Sequence, residues 1–310
     1  MSIKKLLLFP GQGSQSVGMG KPLFERYPSI QERFLEADEI LGFKLSEVVA
    51  EGPEDKLKQT EYAQPAIYTY SAALFDVALK QGLIDANEVM VAGHSLGEFS
   101  AVYAAGGYSF EDGLRLVKRR SELMAEACHG TSGKMLAVVR LDIPQVEELV
   151  ENFCKEHEGS QSTLVVANIN SPKQVVVSGD ASFIDAFAEK LTAQKVRAVM
   201  LNVAGAFHSP LMACAMPGWK QALAETKFNA LRSKVIVNVL GEPVQDGSLL
   251  PEFLERQLVS PVQWVKSMEC AVASGCENGL EIGPGHVLAG LMAKIQSGFN
   301  IQSVEDTLKV

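Results

Sequence analysis

The chain has 310 residues, 47% of them hydrophobic and 21% charged, a balance that suits a folded globular protein and excludes global disorder. Lys and Arg number 28 against 37 Asp and Glu, so the net charge of −9 argues against nucleic acid or an anionic membrane as the partner and leaves acidic ligands to local cations. Five cysteines with no C-x-x-C pair argue against a disulfide framework or a metal site, and no apolar run reaches the ~18–20 residues of a membrane span, so a cytoplasmic protein with reduced thiols is expected.

Lys5–Phe9 reads as a buried strand ending in the turn Pro10-Gly11-Gln12-Gly13; Pro10 cuts the apolar run short of what a secretory leader needs. Tyr27–Leu41 reads as a helix with Ile30, Phe34, Leu35 and Ala37 on its apolar face, and Ala63–Gln81 as a second long helix. Val89–Ala92 is a short apolar run bounded by Gly93, with a helical pattern over Leu96–Ala105 and another over Leu114–Ala127. Such alternation predicts an α/β fold with a mostly parallel sheet covered on both faces. The rhythm then changes. Strand Lys134–Leu141, helix Pro144–Glu156, strands Thr163–Asn168 and Gln174–Ser178 around the turn Asn170-Ser171-Pro172, helix Ala181–Gln194 and strand Val196–Val203 spell β-α-β-β-α-β, a ferredoxin-like pattern. Strands Lys234–Leu240 and Gly279–Ile282 and the helix Val287–Ile295 resume the first pattern. The expected organisation is a large domain made of residues 1–130 and 200–310, with a small α+β subdomain inserted at 131–199.

Gly93-His94-Ser95-Leu96-Gly97 matches G-x-S-x-G between a strand and a helix, the context of a nucleophile elbow. The glycines permit a sharp turn that exposes Ser95, and the N–H of Leu96 at the helix start is a natural oxyanion donor. A serine hydroxyl needs a base. Of His94, His129, His157, His208 and His286, His208 is best placed, in a small-residue loop after a strand and downstream of the serine. The loop around Gln12 could present a second oxyanion amide. Its rival reading as a dinucleotide fingerprint fails, because Ser16 replaces the third glycine and no acidic strand end follows at about twenty residues. Arg120 shares the apolar stripe of its helix with Leu116, Val117, Leu123, Met124 and Ala127. A guanidinium facing inward needs a carboxylate, supplied either by an internal Asp or Glu or by a substrate.

Phe9-Pro10-Gly11-Gln12-Gly13-Ser14-Gln15, Gln64-Pro65-Ala66, Gly93-His94-Ser95-Leu96-Gly97-Glu98, Arg120, Asn168-Ile169-Asn170-Ser171-Pro172, Gly205-Ala206-Phe207-His208-Ser209 and Gly283-Pro284-Gly285 occur in the order seen in malonyl-CoA:acyl-carrier-protein transacylases, and the chain resembles that family over essentially its whole length. The resemblance implies an α/β-hydrolase-like core with a ferredoxin-like insertion. It implies that Ser95 is the nucleophile, His208 the base, the Gln12 and Leu96 amides the oxyanion hole, and Arg120 the holder of the malonyl carboxylate. Gln64 would lie beside that arginine, Phe207 would mark a malonyl-type pocket, and a backbone carbonyl of Gln257 would orient His208. Malonyl-CoA and a phosphopantetheinyl acyl carrier protein would be substrates in fatty-acid synthesis, with no cofactor and no metal. A polyketide-pathway transferase, a thioester hydrolase on the same elbow and a non-catalytic carrier-binding protein are the alternatives. Lys190, Lys195 and Arg197 are candidates for a local basic patch facing the carrier, and Cys214 stands where the family commonly has proline.

Overall fold

A computed structural model describes residues 5–86 and 88–309. Its strands lie in chain order at β1 (Lys5–Phe9), β2 (Val89–Gly93), β3 (Gly133–Val139), β4 (Leu164–Ser171), β5 (Gln174–Asp180), β6 (Ala198–Met200), β7 (Lys234–Val237), β8 (Glu242–Val244), β9 (Asn278–Glu281) and β10 (Asn300–Ser303). One sheet has the order β10-β9-β1-β2-β7-β8 and is parallel throughout except at its β8 edge; the other, β4-β5-β3-β6, is antiparallel. The chain is therefore mixed α/β with a mostly parallel main sheet.

Helices on both faces explain why β1 is apolar from Leu6 to Phe9: Leu6 and Leu8 pack to one side with Trp264 and Met292, Leu7 and Phe9 to the other with Phe75 and Phe99. The helix Thr60–Lys80 is buried from Ala63 to Ala78 at all but Asp76. In the antiparallel sheet the faces also differ. Leu136, Val138, Val175 and Val177 pack against the helices Ile143–Glu156 and Ala181–Ala193, whereas Met135, Ala137 and Val176 turn toward a cavity over the main sheet. Val262, between the helices Leu250–Gln257 and Trp264–Ala273, stitches β4 to the main body by backbone bonds with Ala167 and Ile169.

Three expectations from the sequence need correction. Leu35 is half exposed, because the buried stripe of the helix Pro28–Leu41 runs through Ile30, Phe34, Ala37, Asp38 and Leu41, one residue further round. Asp38 is inside because its carboxylate accepts from the amide and hydroxyl of Ser46. The strand expected at Val196–Val203 shortens to Ala198–Met200, a sheet edge with β3 as its partner, and Leu201, Asn202 and Val203 leave it to line the cavity. The strand expected to reach Leu240 ends at Val237, because Asn238 turns away to bond the segment around Ser95.

Candidate active site

β2 and the helix Gly97–Ala104 meet at Ser95, whose backbone is left-handed at φ 52°. This bend requires glycine on both sides. A Cβ on Gly93 would strike the backbone of Gly97, and one on Gly97 would strike the carbonyl of Phe9 at the end of β1. Asn238 clamps the bend, accepting from the Ser95 amide through Oδ1 at 2.7 Å and donating from Nδ2 to the Gly93 carbonyl at 2.7 Å. Two strand ends thus hold a conformation that serine alone would avoid.

Ser95 Oγ lies 2.8 Å from His208 Nε2. His208 Nδ1 lies 2.9 Å from the backbone carbonyl of Gln257. A carbonyl only accepts, so Nδ1 carries the proton and Nε2 is left with its lone pair toward the serine hydroxyl. Burial, followed by the nearby positive charge of Arg120, pushes the His208 pKa down to about 3. The imidazole is neutral at physiological pH. His208 is itself left-handed at φ 55°, held in a tight loop by Ser209, whose hydroxyl donates to the Ala206 carbonyl.

Arg120, from the helix Phe110–Gly130, is 1% exposed and reaches the same point. Nη1 donates to Gln64 Oε1 at 2.7 Å and Nη2 to Gln257 Oε1 at 2.9 Å; Nη2 also lies 3.4 Å from Ser95 Oγ, and Nε has no partner. Among the described residues no carboxylate forms an ion pair with it, so the internal salt bridge left open by the sequence is not what the structure holds. Neutral amides grip a guanidinium whose charge is uncommitted. Burial still brings its pKa down to about 10, high enough to stay charged.

Ser95, His208, Arg120 and Gln64 line a cavity of about 600 Å³ together with Gln12, Leu96, Met124, Phe207, Val287 and Leu288. Gln12 is anchored by its side chain to Thr60 Oγ1, leaving its backbone at the cavity wall. Leu96 caps the helix Gly97–Ala104, whose first amides, those of Gly97, Glu98 and Phe99, close back on the carbonyls of His94, Ser95 and Leu96. The remaining histidines lie elsewhere or serve other partners. His94 bonds Asn170 Oδ1 at 2.7 Å and packs edge-on against Trp264, His129 and His286 are exposed, and His157 bonds the Phe153 carbonyl. Lys195 and Arg197 are exposed, whereas Lys190 pairs with Glu156.

Sequence reasoning gave no role to Asn238, Asn170 or Glu98, although the last two lie within the motifs quoted above. Glu98 is fully buried, its Oε2 2.6 Å from Gln257 Nε2, and burial lifts its pKa to about 8. One signal was available: it is the lone charge in the largely apolar helix Gly97–Ala104.

No helix among the described residues is long and apolar enough to cross a membrane, and no cluster of three or more His, Cys, Asp or Glu among them could hold a metal. A family model described as an acyl transferase domain matches residues 6–307. The malonyl CoA-acyl carrier protein transacylase of Bacillus subtilis is 38% identical over 98% of this chain and 94% of its own length. A crystal structure of an acyl carrier protein S-malonyltransferase from Vibrio cholerae superposes with a TM-score of 0.90 at 36% identity, covering 97% of this chain and 96% of that one. A malonyl-transacylase in complex with its type II polyketide acyl-carrier protein superposes with a TM-score of 0.92 at 32% identity, covering 99% and 97%.

Proposed function

The chain belongs to the acyl transferase family, and we propose that it carries out the reaction of its malonyl-CoA:acyl-carrier-protein transacylase relatives with Ser95 as the nucleophile. It transfers malonyl from coenzyme A to acyl carrier protein, supplying malonyl units for fatty-acid synthesis. The Ser95 hydroxyl attacks the thioester carbonyl of malonyl-CoA while His208 Nε2 takes its proton. The Gln12 and Leu96 amides hold the tetrahedral oxyanion. The C–S bond breaks, and His208 returns its proton to the departing CoA thiolate. In the second half the phosphopantetheine thiol gives its proton to His208 and attacks the malonyl-serine ester. The serine leaves as the alkoxide and recovers the proton. These steps call for no cofactor and no metal, and we place them in the cytoplasm.

The fold reading that goes with this function is an α/β-hydrolase-like core, residues 1–130 and 200–310, carrying a ferredoxin-like subdomain at 131–199. The strand order and the separate cluster of buried residues under the antiparallel sheet support that division.

The observation that carries the functional reading is the buried, uncommitted Arg120 beside a serine–histidine pair, since a general hydrolase has no use for a cation there. Intact mass spectrometry after exposure to malonyl-CoA should show one malonyl group on the peptide holding Ser95 and none in Ser95→Ala. That ester should persist for minutes in water and discharge at once when holo-carrier protein is added. Rapid loss without a thiol acceptor would make the chain a hydrolase, and a label on cysteine would overturn the assignment of Ser95.

A further inference from the structure

Gln257 has two kinds of contact, and its amide has only one orientation that satisfies both. Oε1 accepts from Arg120 Nη2, while Nε2 donates to Glu98 Oε2 at 2.6 Å and to the Ser95 carbonyl at 2.9 Å. A flipped amide would set its NH2 against a guanidinium and its oxygen against two acceptors. Glu98 also receives the Asn238 amide, at 3.3 Å from each oxygen, so it touches both residues that frame Ser95. A carboxylate placed directly on Arg120 would occupy the N–H groups a substrate carboxylate must use. Glu98 stands one amide away, bonded to Gln257 Nε2, and so leaves the donors of the guanidinium free.

We propose that Glu98 is a positioning residue for substrate choice: by fixing the Gln257 amide, it holds Arg120 aimed at the free carboxylate of a dicarboxylic acyl group. The inference rests on the malonyl-transfer reading above. It assigns Glu98 no contact with substrate and no proton to move.

The test compares kcat/KM for malonyl-CoA and acetyl-CoA in Glu98→Leu, Glu98→Gln, Gln257→Leu and the double variant Glu98→Leu/Gln257→Leu. Glu98→Leu should lower the malonyl-to-acetyl ratio roughly tenfold or more, the scale of one misplaced charged hydrogen bond, with the loss appearing in the KM for malonyl-CoA. Glu98→Gln keeps an acceptor for Gln257 Nε2 and should restore the ratio. Because Glu98 acts through Gln257, adding Glu98→Leu to Gln257→Leu should leave the ratio where Gln257→Leu alone has put it. If Glu98→Leu alone does not fold, the double variant removes both buried polar partners together, and its comparison with Gln257→Leu carries the test. Equal losses on both substrates, or a further fall in the double variant, would reduce Glu98 to a structural support of the bend and overturn the inference. Wild-type protein that forms no malonyl-serine would instead defeat the functional reading itself, so the two failures are told apart.

Discussion

A guanidinium as deep as that of Arg120 is ordinarily sealed by a carboxylate, and here it is held by Gln64 and Gln257 instead. Two hydrogen-bonding directions are thereby fixed without neutralising the charge. Arg120→Ala should therefore lower kcat/KM for malonyl-CoA by roughly tenfold to a hundredfold while acetyl-CoA changes little, a split that competition between the two thioesters would read directly. Equal losses would mean the arginine is structural. The same charge acts on His208. Burial first and Arg120 second depress His208 to about 3, so the acylation rate at limiting malonyl-CoA should stay flat from pH 7 down to pH 5. An acid limb near 6.5 would show that His208 is not buried as described. In Arg120→Ala the positive neighbour is gone, His208 holds a proton more readily, and any acid limb should move upward.

At the scale of elements, the elbow is a collision avoided. Gly97 presses against the Phe9 carbonyl, backbone that cannot rotate away, so Gly97→Ala should cost about 1–3 kcal/mol of stability and most of the activity. Gly290, in the helix Val287–Ile295 with open space around its Cβ position, is the control. Gly290→Ala should raise stability by up to about 1 kcal/mol, and denaturant midpoints for the pair would check both. These elements also show what the sequence could and could not tell. The strand–turn–helix around Ser95 was legible because its glycines and apolar runs are local signals, as was the inward face of Arg120 from helical spacing. What Asn238 and Glu98 bond was not legible, because each bond spans the chain, 143 positions in one case and 159 in the other. Nor could periodicity see that Asn238 would end β7 early, since Val239 and Leu240 resume the apolar run beyond it while the backbone has already turned. The same limit applied to Leu35, where a neighbour one position away from the true stripe was apolar by composition alone.

Over the whole molecule, the site leaves a mark on stability. Glu98 titrates at about 8 when folded against 4.5 for an ordinary glutamate, so between those values the folded state binds more protons than the unfolded one and stability falls as pH rises. His208 runs the other way. Its folded value of about 3 lies below the ordinary 6.5, so the unfolded state binds more protons in that window and stability rises with pH. The two slopes oppose each other from 4.5 to 6.5, where they largely cancel. Above 6.5 Glu98 is the one of this pair still acting, and one group can tilt the curve by at most about 1.4 kcal/mol per pH unit. Stability to urea should therefore decline from pH 6.5 to pH 8 in the wild-type protein. In Glu98→Gln the side chain has nothing to ionise, and the decline should flatten while that of the wild type persists under the same buffers. Parallel curves for the two proteins would mean that Glu98 is already ionised at pH 6.5 and that the buried network around Gln257 carries its negative charge throughout. The cause would then lie with the groups that surround that carboxylate, namely the Gln257 amide, the Asn238 backbone and the Arg120 charge, outweighing its burial.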